Sequence, residues 1–219
     1  SDGKVIGYLK QKDFTAKELI SSGVAVERNG RLYDTLEKRL IIPIINSMGD
    51  VIAFGGRDLE GKSPAKYKNT AETPLFSKSK NIFAINLVKK SRHKGSIIVV
   101  EGYMDVIALT KAGINGVVAS MGTALTSQQA RLIKRFSQDV YICFDGDSAG
   151  QEATLRGLEI LKSAGLSVKV IDIPENYDPD EYVRKYGKEG FEALMQKALP
   201  LADFKILTQE KRHNIKSAE

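Results

Sequence analysis

From Ser96 onward, short apolar runs alternate with amphipathic segments, and this alternation constrains the fold more than any other feature. "SIIVV" (96–100), "GVVAS" (116–120), "DVYICF" (139–144) and "SVKVIDI" (167–173) are each too short for a helix and predominantly apolar, the last with Lys169 and Asp172 interspersed. Runs of this kind are strands buried on both faces. Between them lie segments with helical periodicity: Tyr103 to about Ala112, Ser127 to Phe136 and about Ala149 to Ser163. Gly113 and Gly165 stand where the first and third must stop, and Thr126 stands where an N-cap hydroxyl is needed. Strands joined through helices pair in parallel, with the helices covering the sheet. The reading is a compact α/β domain with a mostly parallel sheet. Two shorter helices follow, about Asp180–Tyr186 and Lys188–Ala198, and then a helical tail from Pro200.

The first half is less regular. "VIGYLKQKDFTAKELISSGV" reads as two short helices broken at Asp13–Thr15. "RLIIPIINSMGDVIAFGGR" (39–57) reads as a hairpin turning at "NSMGD". Pro43 keeps its first strand from a central place, because proline lacks the ladder N–H. Lys62 to Lys80 reads mostly as loop. The boundaries expected from this pattern are 1–95, a basic α+β subdomain; 96–175, the sheet domain; and 176–219, an acidic turn and helical segment.

Charge follows the same division. Ser1–Ser96 carries 18 Lys+Arg against 10 Asp+Glu, whereas Ile97–Glu219 carries 15 against 17. A basic half beside an acidic half suits a polyanion that meets metal ions at one end, although a solvated lysine surface has the same composition. One cysteine and two histidines are too few for a disulfide framework, a cysteine zinc site or a histidine cluster. No run approaches the ~20 apolar residues of a membrane span, and the first residues show no signal sequence. A reducing, cytoplasmic setting is the expectation, with no membrane partner.

Ligands of parallel α/β sheets bind beyond the carboxyl ends of the strands. Three acidic clusters fall there: Glu101 with Asp105 in "EGYMD", Asp145 with Asp147 in "DGD", and Asp178 with Asp180 in "DPD". Residues two apart in an extended segment point to one side, so "DGD" and "DPD" can each aim two carboxylates at one point. Taken singly, each cluster has a structural reading: a turn, a surface loop, or an acid at a helix start. At successive strand ends of one sheet they fit a divalent metal site. Mg²⁺ is the expected ion, a hard cation that binds carboxylates, water and phosphate, and Mn²⁺ can substitute.

"EGYMD", "DGDSAG" and "DPDEYVRKYG" together resemble the Toprim domain of topoisomerases, primases and some nucleases. "RLIIPIINSMGDVIAFGGR", "AKYKNTAETPLFSKSKNIFAIN", "VVEGYMDVIALTKAGINGVVASMGTALT" and "CFDGDSAGQEA" are similar, more specifically, to the RNA-polymerase core of bacterial DnaG-type primases, over about Arg31 to Asp203. This resemblance implies a Toprim domain preceded by a smaller basic subdomain and followed by a helical tail. It implies RNA primer synthesis on single-stranded DNA from ribonucleoside triphosphates, and contact with a replicative helicase through a domain outside this chain. It implies that Glu101 is a general acid/base or metal ligand, that Asp105, Asp145 and Asp147 bind metal, and that Asp178 and Asp180 lie near the metals. Catalytic roles fall to Glu101, Asp145 and Asp147. Arg57, Lys66, Asn69 and Lys78 match positions implicated in nucleotide or template contact. The family's zinc-binding and helicase-binding domains have no counterpart in these residues, so a catalytic fragment is expected. A Toprim nuclease or topoisomerase fragment shares the acids but has no need of "KYKNTAET". A module that binds nucleotide or single strand without turnover is a third reading.

The remaining conspicuous residues have bland readings. Tyr67 and Phe76 pack the lysine-rich segment, Tyr103 packs or positions, and Cys143 is a small core residue. His93 is exposed and inert. "MGTAL" (121–125) is a strand-to-helix loop with Gly122 allowing close backbone approach.

Overall fold

The structure is a computed structural model. It describes residues 4–91, 95–122, 124–145, 148–174 and 177–213, with backbone alone for 148–151, 208 and 211–213. The chain forms two compact units, Ser1–Lys78 and Ser79–Glu219.

In the first unit, α1 (Lys4–Lys10) and α2 (Ala16–Ser21) precede a hairpin of β1 (Ala25–Arg28) and β2 (Arg31–Asp34). The helices part where the sequence suggests. Asp13 adopts φ 66°, and Thr15 caps α2 through a reciprocal box: its Oγ1 accepts the Glu18 N–H, and its own N–H donates to Glu18 Oε2 at 2.8 Å. The β1–β2 hairpin was not anticipated, although its signal was present. Asn29 and Gly30 both take positive φ, 51° and 72°, as a two-residue primed turn requires. A three-stranded antiparallel sheet follows, in the order β3 (Arg39–Ile45), β4 (Val51–Asp58), β5 (Tyr67–Asn69). Pro43 sits on the edge strand β3. Asn46 organises the β3–β4 turn, its Oδ1 accepting the N–H groups of Met48, Gly49 and Asp50 at 2.8–3.0 Å. The lysine-rich segment is therefore not all loop: β5 closes the free edge of β4, opposite Gly55, Gly56 and Arg57.

The second unit contains α3 (Ile85–Lys90), β6 (Ile97–Val100), α4 (Tyr103–Lys111), β7 (Val117–Ala119), α5 (Ser127–Lys134) and β8 (Asp139–Ile142). Then come α6 (Ser148–Ser163), β9 (Ser167–Val170), α7 (Pro179–Gln196), β10 (Leu199–Pro200) and α8 (Leu201–His213). The sheet order is β10-β9-β8-β6-β7, parallel except for β10, which pairs antiparallel with β9. This is the expected mixed α/β architecture. β6 lies inside the sheet, and its four residues are at most 1% exposed. Each such aliphatic side chain contributes roughly 1.5–3 kcal/mol by leaving water. Thr126 caps α5 as expected, its Oγ1 accepting the Gln129 N–H at 3.1 Å. The two short helices foreseen after "DPD" are both present, parting at Gly187, whose φ of 69° and ψ of −170° lie outside the helical region; they are labelled together as α7.

The segment Ser79–Lys90, assigned from sequence to the basic subdomain, packs into the second unit. Phe83 and Ala119 exchange backbone hydrogen bonds, the Thr126 hydroxyl donates to Ser79 O, and Gln129 Nε2 donates to Asn81 O. Phe83, Ile85 and Val88 are apolar and buried there, so hydrophobic burial overrides the segment's charge in deciding where it packs. Among the described residues no helix is long and apolar enough to cross a membrane.

Candidate active site

Of the acids expected at the strand ends, Glu101, Asp105 and Asp145 lie at the carboxyl edge of the parallel sheet, with Asp178 and Asp180 close enough for their charges to act on Asp105. β6 stops at Val100, Glu101 follows, and Gly102 takes the extended conformation that starts α4. Asp105 then sits at the third helical position, and the Gly102 N–H donates to its Oδ2 at 3.0 Å. This hydrogen bond folds the carboxylate back over the helix start, where it is 8% exposed. One strand over, the Asp145 N–H donates to Glu101 Oε1 at 3.4 Å, joining the ends of β6 and β8.

Burial pushes the Asp105 carboxyl up to about 7. The Gly102 N–H acts against this, and the charges of Asp145, Asp178 and Asp180 add to it. Four of the predicted acids therefore share one electrostatic neighbourhood. Two of them also have local roles that the sequence did not reveal. Asp178 is the N-cap of α7, accepting the Glu181 N–H at 2.6 Å, with Pro179 in the first turn. Asp180 holds Arg184 through two parallel bonds. Asp147 and His93 lie outside the described residues. Among the described residues, no three His, Cys, Asp or Glu side chains are placed to hold one ion.

The donor set nevertheless fits a hard cation. It is all oxygen, it is partly withdrawn from water, and its members repel one another in the absence of positive charge. An ion such as Mg²⁺ takes one or two carboxylates and completes its shell with water and phosphate, so a three-carboxylate cage is not required.

The loop after β7 also borders this edge. Met121, only 2% exposed, and Gly122 both adopt positive φ, 65° and 73°. A buried non-glycine residue held there is strained backbone of the kind that clusters near functional sites. Tyr103 is 3% exposed and meets Phe83 edge-on at 4.7 Å, which makes it a packing residue. Cys143 is fully buried, and burial raises its thiol well above the ordinary range.

The predicted basic and polar residues belong to the first unit. Arg57 stands opposite Tyr67 in the β4–β5 ladder, and Asn69 opposite Gly55, which places Arg57, Tyr67 and Asn69 on one face. The Arg57 guanidinium lies 5.7 Å from the Tyr67 ring centroid, and Lys66 Nζ lies 6.0 Å from it. The Lys78 N–H donates to Glu72 Oε1 at 2.8 Å. Phe76 is 1% exposed and packs as expected. Lys68 turns elsewhere: its Nζ donates to Thr35 O at 2.8 Å, and burial, with Arg28 and Arg39 nearby, lowers its pKa.

Sequence reasoning missed Arg39. Its guanidinium donates to Gly56 O, Lys66 O, Ala65 O and Ser63 Oγ, spanning the segment that leads into β5. Asp58 braces the same segment, accepting the N–H groups of Ser63 and Glu60 at 2.7 and 3.0 Å. A Cβ on Gly56 would lie 2.9 Å from Arg39 Cδ, so the glycine makes room for this brace. No local sequence signal marks Arg39, because its partners are 17 to 27 residues away.

Two families match the chain side by side. One described as "DNA primase catalytic core, N-terminal domain" covers residues 1–89, and one described as "Toprim-like" covers 98–183. A DNA primase of Clostridium acetobutylicum is 45% identical over 216 residues, 99% of this chain and 36% of the relative. The Escherichia coli K12 DNA primase is 40% identical over 193 residues, 86% of this chain and 33% of the relative. The chain thus spans about a third of the length of the curated relatives it matches. Among solved structures, the RNA polymerase domain of Mycobacterium tuberculosis primase DnaG superposes with TM-score 0.84 at 32% identity, covering 96% of this chain and 71% of that one. A DnaG primase catalytic domain bound to single-stranded DNA gives 0.85 at 37%, covering 93% and 66%. Acids at the ends of a parallel sheet, a basic subdomain before them, and relatives that match both halves together lead to one assignment: the chain belongs to the bacterial DnaG-type primase family, as a part of its Toprim-containing catalytic core.

Proposed function

We propose that this chain carries the nucleotidyl-transfer centre for DNA-directed synthesis of RNA primers. The observation that carries the reading is the shared electrostatic neighbourhood of Asp105, Asp145, Asp178 and Asp180 at the carboxyl edge of the parallel sheet. The substrates are ribonucleoside triphosphates, the template is single-stranded DNA, and the product is an RNA primer. The replicative helicase is the partner expected beyond this chain.

In each addition a 3′ hydroxyl oxygen bonds to an α-phosphorus, the bond to the β-phosphate oxygen breaks, and pyrophosphate leaves. The task for the protein is positioning and charge neutralisation. Glu101, Asp105, Asp145, Asp147, Asp178 and Asp180 are the residues that would hold divalent metal, with Mg²⁺ the expected ion and Mn²⁺ able to replace it. When bound, such an ion supplies positive charge to the phosphates and lowers the pKa of coordinated oxygen. Glu101 accepts the proton of the attacking hydroxyl, held in place by the Asp145 N–H. Asp145 and Asp147 complete the catalytic set. Arg57, Lys66, Asn69 and Lys78 contact nucleotide or template, Lys66 and Lys78 as point charges and Arg57 as a planar fork.

Primer synthesis on single-stranded DNA with four ribonucleotides and Mg²⁺ or Mn²⁺ tests this, run on the chain within its full-length context. Glu101→Gln and Asp145→Asn are expected to abolish extension while leaving strand binding intact. Unchanged extension by either variant would refute the assignment, and strand cleavage without ribonucleotides would move the chain to nuclease chemistry.

A further inference from the structure

An aromatic cluster that the acids do not explain begins beside them. Tyr177 precedes α7, and Tyr182 and Tyr186 lie one turn apart on it. The Tyr182 and Tyr186 centroids are 4.6 Å apart, and Tyr177 stands 6.0 Å from each. Lys185 covers the group. Its Nζ bonds to the Tyr177 hydroxyl and lies 5.0 and 5.2 Å from the Tyr177 and Tyr186 centroids. Tyr186 remains 46% exposed. Three tyrosines and a lysine gathered at the surface are more than α7 needs for its own stability, since the helix already has an N-cap, a first-turn proline and the buried Val183 and Phe191.

We propose that this cluster is a stacking platform for a base of the single strand held at the acidic edge. The proposal rests on the function assigned above and names a contact within it. Tyr186 is eight residues beyond Asp178, about 12 Å along the helix, so the rings are within reach of a strand whose phosphate would be held at the acids through divalent metal. Lys185 matches the polyanion. In the free protein it occupies the ring faces, and with the strand in place its charge turns to phosphate and exposes a face to a base. The exchange favours the strand. An exposed cation–π contact strengthens an equilibrium about two- to fivefold, whereas stacking a base on an aromatic ring strengthens binding roughly five- to hundredfold. Of the carboxylates beside the cluster, Glu181 is directed to the helix start, where its Oε2 accepts the Asp178 N–H, Asp178 accepts the Glu181 N–H in return, and Asp180 holds Arg184.

The chain has no tryptophan, so Tyr186→Trp introduces a single indole reporter. Indole emission is expected to be quenched by oligothymidylate in Mg²⁺ and left unchanged by an abasic strand of equal length. Tyr186→Ala is expected to weaken oligothymidylate binding roughly five- to hundredfold, read by anisotropy of a labelled strand, with no effect on the abasic strand, while Tyr186→Phe retains parent affinity. Equal affinity of the parent for both strands, or unchanged affinity on Tyr186→Ala, overturns the platform and leaves the primase reading standing. Failure of the parent to bind any strand removes both. Quenching by ribonucleoside triphosphates but not by the oligonucleotide replaces the strand with a mononucleotide and so overturns the proposal as well.

Discussion

Replacing Asp105 by asparagine separates stability from function at this site. In the metal-free protein the Asp105 carboxyl is raised from the ordinary 3.8 to about 7, chiefly by burial. Between those two values the unfolded chain has released the proton while the folded chain still holds it. Folded-state stability therefore declines as pH rises through this window and levels off above about 7. A displacement of about three units corresponds to about 4 kcal/mol, at about 1.4 kcal/mol per unit. Asparagine cannot ionise, and its Oδ1 can still accept the Gly102 N–H. The variant should match the parent near pH 4 and exceed it by about 4 kcal/mol at pH 8, roughly 10 °C in Tm for a chain of this size. Urea unfolding followed by circular dichroism from pH 4 to 8, with chelator present, measures the difference, and the titration of other carboxylates largely cancels between parent and variant. Mg²⁺ at pH 8 should then stabilise the parent more than the variant, since an ion that binds only the folded state adds to its stability. A parent–variant difference that stays flat with pH, or a variant less stable at pH 8, would refute the reasoning.

Two further outcomes follow from the first unit. Arg39→Ala should release the segment 63–66, costing roughly 1–3 kcal/mol for the lost charged hydrogen bonds; hydrogen exchange should rise at Ser63–Tyr67, and Arg39→Lys, lacking the fork, should restore little of the protection. Unchanged exchange would show that Asp58 suffices as the brace. Lys66→Ala should weaken single-strand binding without regard to sequence and reduce the slope of log affinity against log salt by about 1, whereas an unaltered slope would remove Lys66 from phosphate contact.

The legible parts of this chain were those written locally. "SIIVV" and "DVYICF" announce strands buried on both faces, Thr126 and Gly113 announce helix ends, and Pro43 announces an edge. The Asn29–Gly30 turn is equally local, both residues taking the positive φ of a primed hairpin. β5 was not legible: "YKN" has three residues and two polar side chains, and it is a strand only because the β4 edge supplies Gly55–Arg57 as ladder partners. Arg39 and the Tyr177–Tyr182–Tyr186 cluster were hidden for related reasons. The arginine acts on carbonyls far along the chain, and the tyrosines become a group only once α7 winds and Lys185 folds back over them.

Sequence alone determined that a mostly parallel sheet forms and that Glu101, Asp105, Asp145, Asp178 and Asp180 fall at its carboxyl edge, because apolar periodicity and strand length are properties of adjacent residues. Only the tertiary structure decided how differently those acids are used. Asp105 is withdrawn from water, Asp178 caps α7, and Asp180 holds Arg184. The burial of Asp105 and the charges that face it come from segments distant in sequence, whereas Asp178 and Asp180 meet partners three and four residues away once α7 winds; it is these surroundings, not the identity of the residue, that set what a carboxylate does.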